Sequence, residues 1–97
     1  MHVGVCRITL HIPENRSLKG KRRIVRSLCD RLRSRFDVSV AEVADQDLWQ
    51  SAVIGIVTVD GDPTRASALI DRVVDFTETS FPDVRVVDCD RDVLDLT

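Results

Sequence analysis

The chain has 97 residues, of which 43% are hydrophobic and 31% are charged. This length fits one domain, and this composition is typical of a globular protein rather than a disordered one. No apolar run approaches the roughly 20 residues of a membrane-spanning helix, and the N-terminus lacks the features of a secretory signal peptide. We therefore expect one domain over residues 1–97, located in the cytoplasm and making no membrane contact.

The net charge of −2 hides a strong asymmetry between the two parts of the chain. Residues 1–36 carry ten Lys or Arg and two acids, whereas residues 37–97 carry four Lys or Arg and fourteen acids. Separation of charge on this scale indicates an interaction surface.

The cysteines and histidines predict no metal site and no cofactor. Cys6, Cys29 and Cys89 are odd in number and form no CxxC pair, so neither a disulfide framework nor a zinc site is indicated. Each cysteine takes the place of a small apolar residue, which favours buried, reduced thiols. His2 and His11 have no companion at ligand spacing.

Hydrophobic periodicity predicts the first strand and the first helix. Residues 3–12 alternate, with one face formed by Cys6, Ile8, Leu10 and Ile12. Ser17 is a suitable N-cap for a helix that runs to about residue 35, with an apolar stripe of Ile24, Val25, Leu28 and Leu32.

The rest of the chain predicts three more strands and one more helix. The strands are expected at residues 37–43, 51–59 and 84–89. Asp62 can cap a helix over residues 63–80, because Pro63 suits the first helical position. From about residue 90 to residue 97 we expect a loose C-terminal tail or a short edge extension.

This order predicts an α+β fold of ferredoxin-like, split β-α-β-β-α-β topology, with a four-stranded antiparallel sheet and two helices on one face. The third strand has apolar side chains on both faces, including Val53, Val57 and Val59 on the side away from the helices. A sparsely apolar exposed face would explain this pattern, but we favour a homodimer packed through the open sheet face.

The first helix carries most of the functional signal. Its first turns hold several cations, which the helix macrodipole disfavours, and Asp30 is its only acid. A phosphate chain would turn this cost into a gain. The predicted nucleic-acid-binding residues are Arg16, Lys19, Lys21, Arg22, Arg23, Arg26 and Arg33. Two alternatives stay open, namely a solvated basic face and pairing with an acidic protein surface, possibly that of another copy.

Some residues stand apart from this basic set. Lys21 falls inside the apolar stripe, so its stem is expected to pass the sheet edge and place the ammonium beside residues 14–16. Trp49 is predicted to pack on the core, with base stacking or partner anchoring as alternatives. The candidate contacts to a partner or to the sheet face are Arg7, His11, Trp49 and Gln50.

Catalytic signals are missing, so we expect no enzyme and identify no small-molecule substrate. No nucleophile elbow, P-loop or HExxH motif occurs. Acylphosphatases share the predicted topology and bind phosphate with an arginine near the first strand–helix loop, where Arg16 lies. Residues 13–18 contain no glycine for a phosphate cradle, so acyl-phosphate or phosphoryl hydrolysis remains a remote alternative. The third strand also lacks the stacking aromatics of RNA-recognition domains.

Four segments resemble the YlxP-like family of bacterial domains of unknown function: LHIPE at residues 10–14, SLKGKRR at 17–23, FDVSVAEV at 36–43 and QDLWQ at 46–50. The resemblance implies a ferredoxin-like fold, a bacterial source and a gene often found near those of ribosome-binding factor A and initiation factor two. It implies no established activity. The family's motif positions fall on His11, Ser17, Lys19, Lys21, Arg22, Asp47, Trp49 and Gln50. We therefore expect a small binding module for RNA or the ribosome.

Overall fold

The computed structural model describes all 97 residues and forms one sheet with two helices. The elements are β1 (His2–His11), α1 (Leu18–Arg35), β2 (Ser39–Ala44), β3 (Ser51–Asp60), α2 (Pro63–Ser80) and β4 (Arg85–Asp95). The four strands are all antiparallel and lie in the order β2-β3-β1-β4. The predicted α+β, ferredoxin-like β-α-β-β-α-β fold is confirmed.

The core lies between the sheet and both helices. The predicted alternation of β1 is confirmed, since Cys6, Ile8, Leu10 and Ile12 are all buried. They pack with Val25, Leu28, Cys29 and Leu32 of α1 and with Ile70 and Val73 of α2. Both helices therefore cover the same face of the sheet, and the opposite face, which we call the open face, carries no helix.

Side-chain caps fix the start of each helix where the sequence predicts it. The Ser17 hydroxyl accepts a hydrogen bond from the Gly20 amide at 3.0 Å and so caps α1. The Asp62 carboxylate accepts one from the Thr64 amide at 2.9 Å, and Pro63 follows it as the first residue of α2. Each cap satisfies a backbone donor that has no partner inside the helix.

Of the two alternatives expected from about residue 90, the loose tail was wrong and the edge extension is what the structure shows, because β4 lies at the edge of the sheet and continues to Asp95. This strand pairs with the whole of β1, from Arg85 opposite His11 to Asp95 opposite His2, with a register shift between Thr9 and Leu10. Aspartate has a low intrinsic strand propensity, which hides the strand in the sequence. The ten-residue partner β1 supplies the hydrogen bonds that override this propensity.

Candidate functional site

Five cations at the start and on the outer side of α1 form one surface, which we call the basic face. Lys19, Arg22, Arg23 and Arg26 project from the helix, and Arg16 lies just before it. All five are exposed, and none is within ion-pairing distance of a carboxylate. The side chains of Lys19, Arg22, Arg23 and Arg26 line one shallow depression with Ser27, Asp30 and Arg31. The basic face is therefore free to meet an external anion.

The remaining cations of α1 are engaged inside the molecule. Arg33 donates to the Val40 carbonyl of β2 at 2.6 Å and pairs with Asp30 at 3.2 Å. Arg31 and Arg35 stack on aromatic rings, at 4.5 Å from the centre of Phe81 and 4.6 Å from that of Phe76 respectively. These three arginines join α1 to β2 and to α2, so Arg33 contributes less to the predicted binding surface than its neighbours do.

Lys21 is not part of the nucleic-acid-binding surface, and that prediction was wrong for this residue. Its side chain is fully buried, and its ammonium lies 2.9 Å from Glu42 Oε2. The ammonium also donates a hydrogen bond to the Asp45 carbonyl. Both partners of the ammonium belong to β2 and the connection after it, and neither belongs to residues 14–16, where it was expected. Lys21 instead joins the first turn of α1 to β2 and to the connection that follows it.

That connection, residues 45–50, is fastened to the loop between β1 and α1. The Gln50 side-chain amide donates to the carbonyls of Pro13 at 3.1 Å and Asn15 at 3.0 Å. The Asn15 amide donates to the Trp49 carbonyl and, at 2.7 Å, to the Ser17 carbonyl. Gln50 and Asn15 thus hold two loops together at one end of the sheet, and Gln50, predicted as a partner contact, makes internal contacts.

Trp49 is exposed, so the prediction that it packs on the core was wrong. It has 52% of its surface accessible, and the neighbouring Leu48 has 50%. The backbone of Trp49 is held through Asn15, which precedes Arg16 in the chain. The structure thereby places the backbone of this exposed residue next to the loop that leads into the basic face.

Sequence reasoning missed two residues that shape this region. Gly20 allows the Asn15 side chain to lie against α1, because a Cβ atom at position 20 would overlap Asn15 Oδ1. Asp45 has a positive φ of 62°, and its carboxylate accepts a hydrogen bond from the Ser51 hydroxyl at 2.9 Å. The sequence offered one signal for this contact, which is Gly20 itself. Helix propensity disfavours a glycine in the first turn of a helix, so its presence there indicates a close approach by another group.

Arg7 and His11 lie on the open face, across the sheet from α1. Arg7 pairs with Asp90 on β4. The strand register also makes Val3 a neighbour of Val59 and Leu94, and Val5 a neighbour of Val57. These side chains form an apolar patch on which Val57, Val59 and Leu94 are at least 40% exposed. The homodimer through this face stays a prediction.

The cysteine and acidic side chains form no second candidate site. Cys6 Sγ and Cys89 Sγ lie 3.6 Å apart on neighbouring strands. Burial, with the neighbouring Cys89 thiol, raises the pKa of Cys6 to about 12, and burial also raises the pKa of Cys29. No group of three or more histidine, cysteine or acidic side chains is placed to hold a metal ion. Neither helix is both long and apolar enough to cross a membrane.

Two comparisons identify relatives of the chain. The family model described as "Protein of unknown function (DUF503)" matches residues 3–91. The chain is also similar to the "Uncharacterized protein YlxP" of Bacillus subtilis (strain 168), with 34% identity over 68 residues, which cover 70% of this chain and 73% of that protein. The predicted resemblance to YlxP-like domains is confirmed, and neither description assigns an activity.

Proposed function

We propose that this chain, which belongs to the family of proteins of unknown function (DUF503), is an RNA-binding module that holds a phosphate backbone on the basic face of α1. One observation carries the proposal. The five cations of the basic face have no carboxylate partner, although the chain has 16 acids to 14 Lys and Arg. A chain with this many acids could have neutralised them internally.

The position of these cations on the helix supports the same proposal. Lys19 and Arg22 lie in the first turns of α1, and the first turn contains no acid. The helix macrodipole disfavours a cation in the first turn, such as Lys19, by about 0.3–1 kcal/mol, and the like charges add to this cost at helical spacing. A bound phosphate chain relieves both effects, because it neutralises the side chains and faces the positive end of the dipole.

The acidic remainder of the chain restricts how RNA can approach. Residues 37–97 carry fourteen acids and four basic residues, and exposed acids such as Asp75, Glu78 and Asp88 lie on α2 and β4. These surfaces repel a polyanion, so only the outer side of α1 and its start attract one. The repulsion fixes one binding orientation and disfavours other contacts with RNA.

A charge-reversal experiment tests the proposal. The probe is total ribosomal RNA, and its affinity is measured across a salt series for the wild type and for the Arg22→Glu, Arg23→Glu, Arg26→Glu triple variant. Five phosphate contacts predict a slope of log affinity against log salt of about −3.5 to −4.5. The triple variant should lose binding while its circular dichroism spectrum stays that of the wild type.

The control reverses two exposed charges outside the basic face, whereas the triple variant reverses three charges inside it. Arg72 and Arg85 are exposed and form no ion pair, so the Arg72→Glu, Arg85→Glu variant should lose little affinity. Equal losses in both variants would show a general charge effect and contradict the proposal. Salt-sensitive self-association without RNA would assign the basic face to the acidic surface of a second copy instead.

A further inference from the structure

We infer that Trp49 forms a second part of this binding site, where its indole stacks on an unpaired base of the same RNA. The inference rests on the proposed function, because the basic face must first hold the phosphates. It narrows the ligand from RNA in general to RNA with an unpaired base, as in a single strand or a loop.

The exposure of Trp49 and Leu48 is the first observation behind this inference. Each has about half of its surface accessible, at 52% and 50%, although a Trp loses more by remaining in water than almost any other residue. No other aromatic ring lies against the indole, since all three Phe side chains pack among α1 and α2. The indole is available to a flat ligand.

The second observation is that the chain holds this exposed tryptophan in place. On the C-terminal side of Trp49, Asn15 donates to the Trp49 carbonyl, and the Gln50 side-chain amide donates to the carbonyls of Pro13 and Asn15. At the other end of the connection, Lys21 donates to the Asp45 carbonyl, and the Leu48 amide donates to the same oxygen at 3.0 Å. A fixed loop reduces the entropy lost on binding.

The third observation is that the backbone of Trp49 is tied to the segment where the basic face begins. Asn15 bonds the Trp49 carbonyl and the carbonyl of Ser17, the N-cap of α1. The free cations Arg16 and Lys19 flank Ser17 in the sequence. A ligand with a planar apolar face and an attached anion matches an exposed indole whose loop is bonded to this cationic segment, and a nucleotide with an unstacked base has this chemistry. In duplex RNA the base faces are already stacked, so a duplex would contact the basic face alone.

The sole tryptophan makes the test direct. The chain has one Trp and no Tyr, so its intrinsic tryptophan fluorescence reports on Trp49 alone. We expect quenching when a short oligouridylate is added, and little quenching with a duplex RNA of equal phosphate number. Trp49→Ala should weaken oligouridylate binding roughly 5- to 150-fold, as expected for the loss of one stacked base. It should change duplex affinity less than about twofold, and Trp49→Phe should restore most of the loss.

The outcomes separate this inference from the proposed function. If the wild type binds both RNAs with the expected salt dependence, but Trp49→Ala binds oligouridylate as the wild type does, the proposed function stands and the stacking inference fails. If the wild type binds neither RNA at low salt, the proposed function fails and takes the stacking inference with it. Equal weakening for oligouridylate and duplex would also overturn the inference, because it would show a loss of fold or loop position rather than of stacking.

Discussion

Replacing Lys21 with methionine should be among the most destabilising single changes in α1. The lysine is fully buried, and the side chain of its partner Glu42 is 19% exposed. Removing one member of a buried ion pair costs about 3–5 kcal/mol, because the other charge is left without compensation. Glu42 can be partly rehydrated through its exposed fraction, so we expect the lower end, about 3 kcal/mol.

The size of this domain converts that free energy into a large change in melting temperature. A loss of 1 kcal/mol lowers Tm by roughly 4–8 °C in a domain of 60–100 residues, so Lys21→Met should lower Tm by about 12–24 °C. Thermal and urea unfolding followed by far-ultraviolet circular dichroism would measure it. Lys19→Met is the matched control, because Lys19 is exposed on the same helix and its loss should leave stability unchanged or raise it by up to about 1 kcal/mol, as the macrodipole disfavours a cation there.

A double variant tests whether the ion pair is the cause. Lys21→Met combined with Glu42→Leu replaces both charges with apolar groups and should recover most of the lost stability, since such replacements are often neutral or stabilising. In this variant the Asp45 carbonyl still accepts a hydrogen bond from the Leu48 amide. A loss below about 1 kcal/mol for Lys21→Met, or no recovery in the double variant, would refute the reasoning.

Two further predictions concern stability. Gly20→Ala should destabilise the protein despite the higher helix propensity of alanine, because the new Cβ overlaps Asn15 Oδ1 and displaces the side chain that holds Trp49. In an Asn15→Ala background the same change should be neutral or stabilising, and a loss of similar size in both backgrounds in urea unfolding would contradict this account. The second prediction is that stability falls as pH rises from about 9 to about 12, because the pKa of Cys6 is raised from 9.0 to about 12 in the fold and the unfolded chain releases this proton first. Cys6→Ala should give a shallower fall in urea midpoints over this range, with the slope due to Cys29 retained, whereas identical slopes would refute the assignment.

The fold could be predicted from the sequence because its signals are local. Ser17 and the Asp62-Pro63 pair mark the helix starts, and both helices end at the predicted residues. The strict alternation of β1 assigns its buried face correctly. These features depend on residues within one or two turns of each other, where periodicity and capping are decisive.

The site could be predicted only in part, because its geometry depends on contacts between distant segments. The basic face follows from helical spacing alone. The partner of Lys21 is Glu42 on strand β2, and the exposure of Trp49 depends on how Asn15 and Gln50 tie two loops together. No local pattern contains these pairings, so Lys21 was assigned to the wrong surface and Trp49 to the core.

The charges on the two outer strands also bear on how the folded protein avoids aggregation. An open sheet has unpaired backbone groups along its edges, and these can recruit strands from other molecules into fibrils. β4 is one edge, and its four exposed aspartates outnumber its two arginines, so two such edges carry the same net charge and repel each other. At the other edge, the Arg33 side chain donates a hydrogen bond to the Val40 carbonyl of β2. That carbonyl therefore already has a partner inside the molecule. Both features make edge-to-edge polymerisation of the sheet unfavourable.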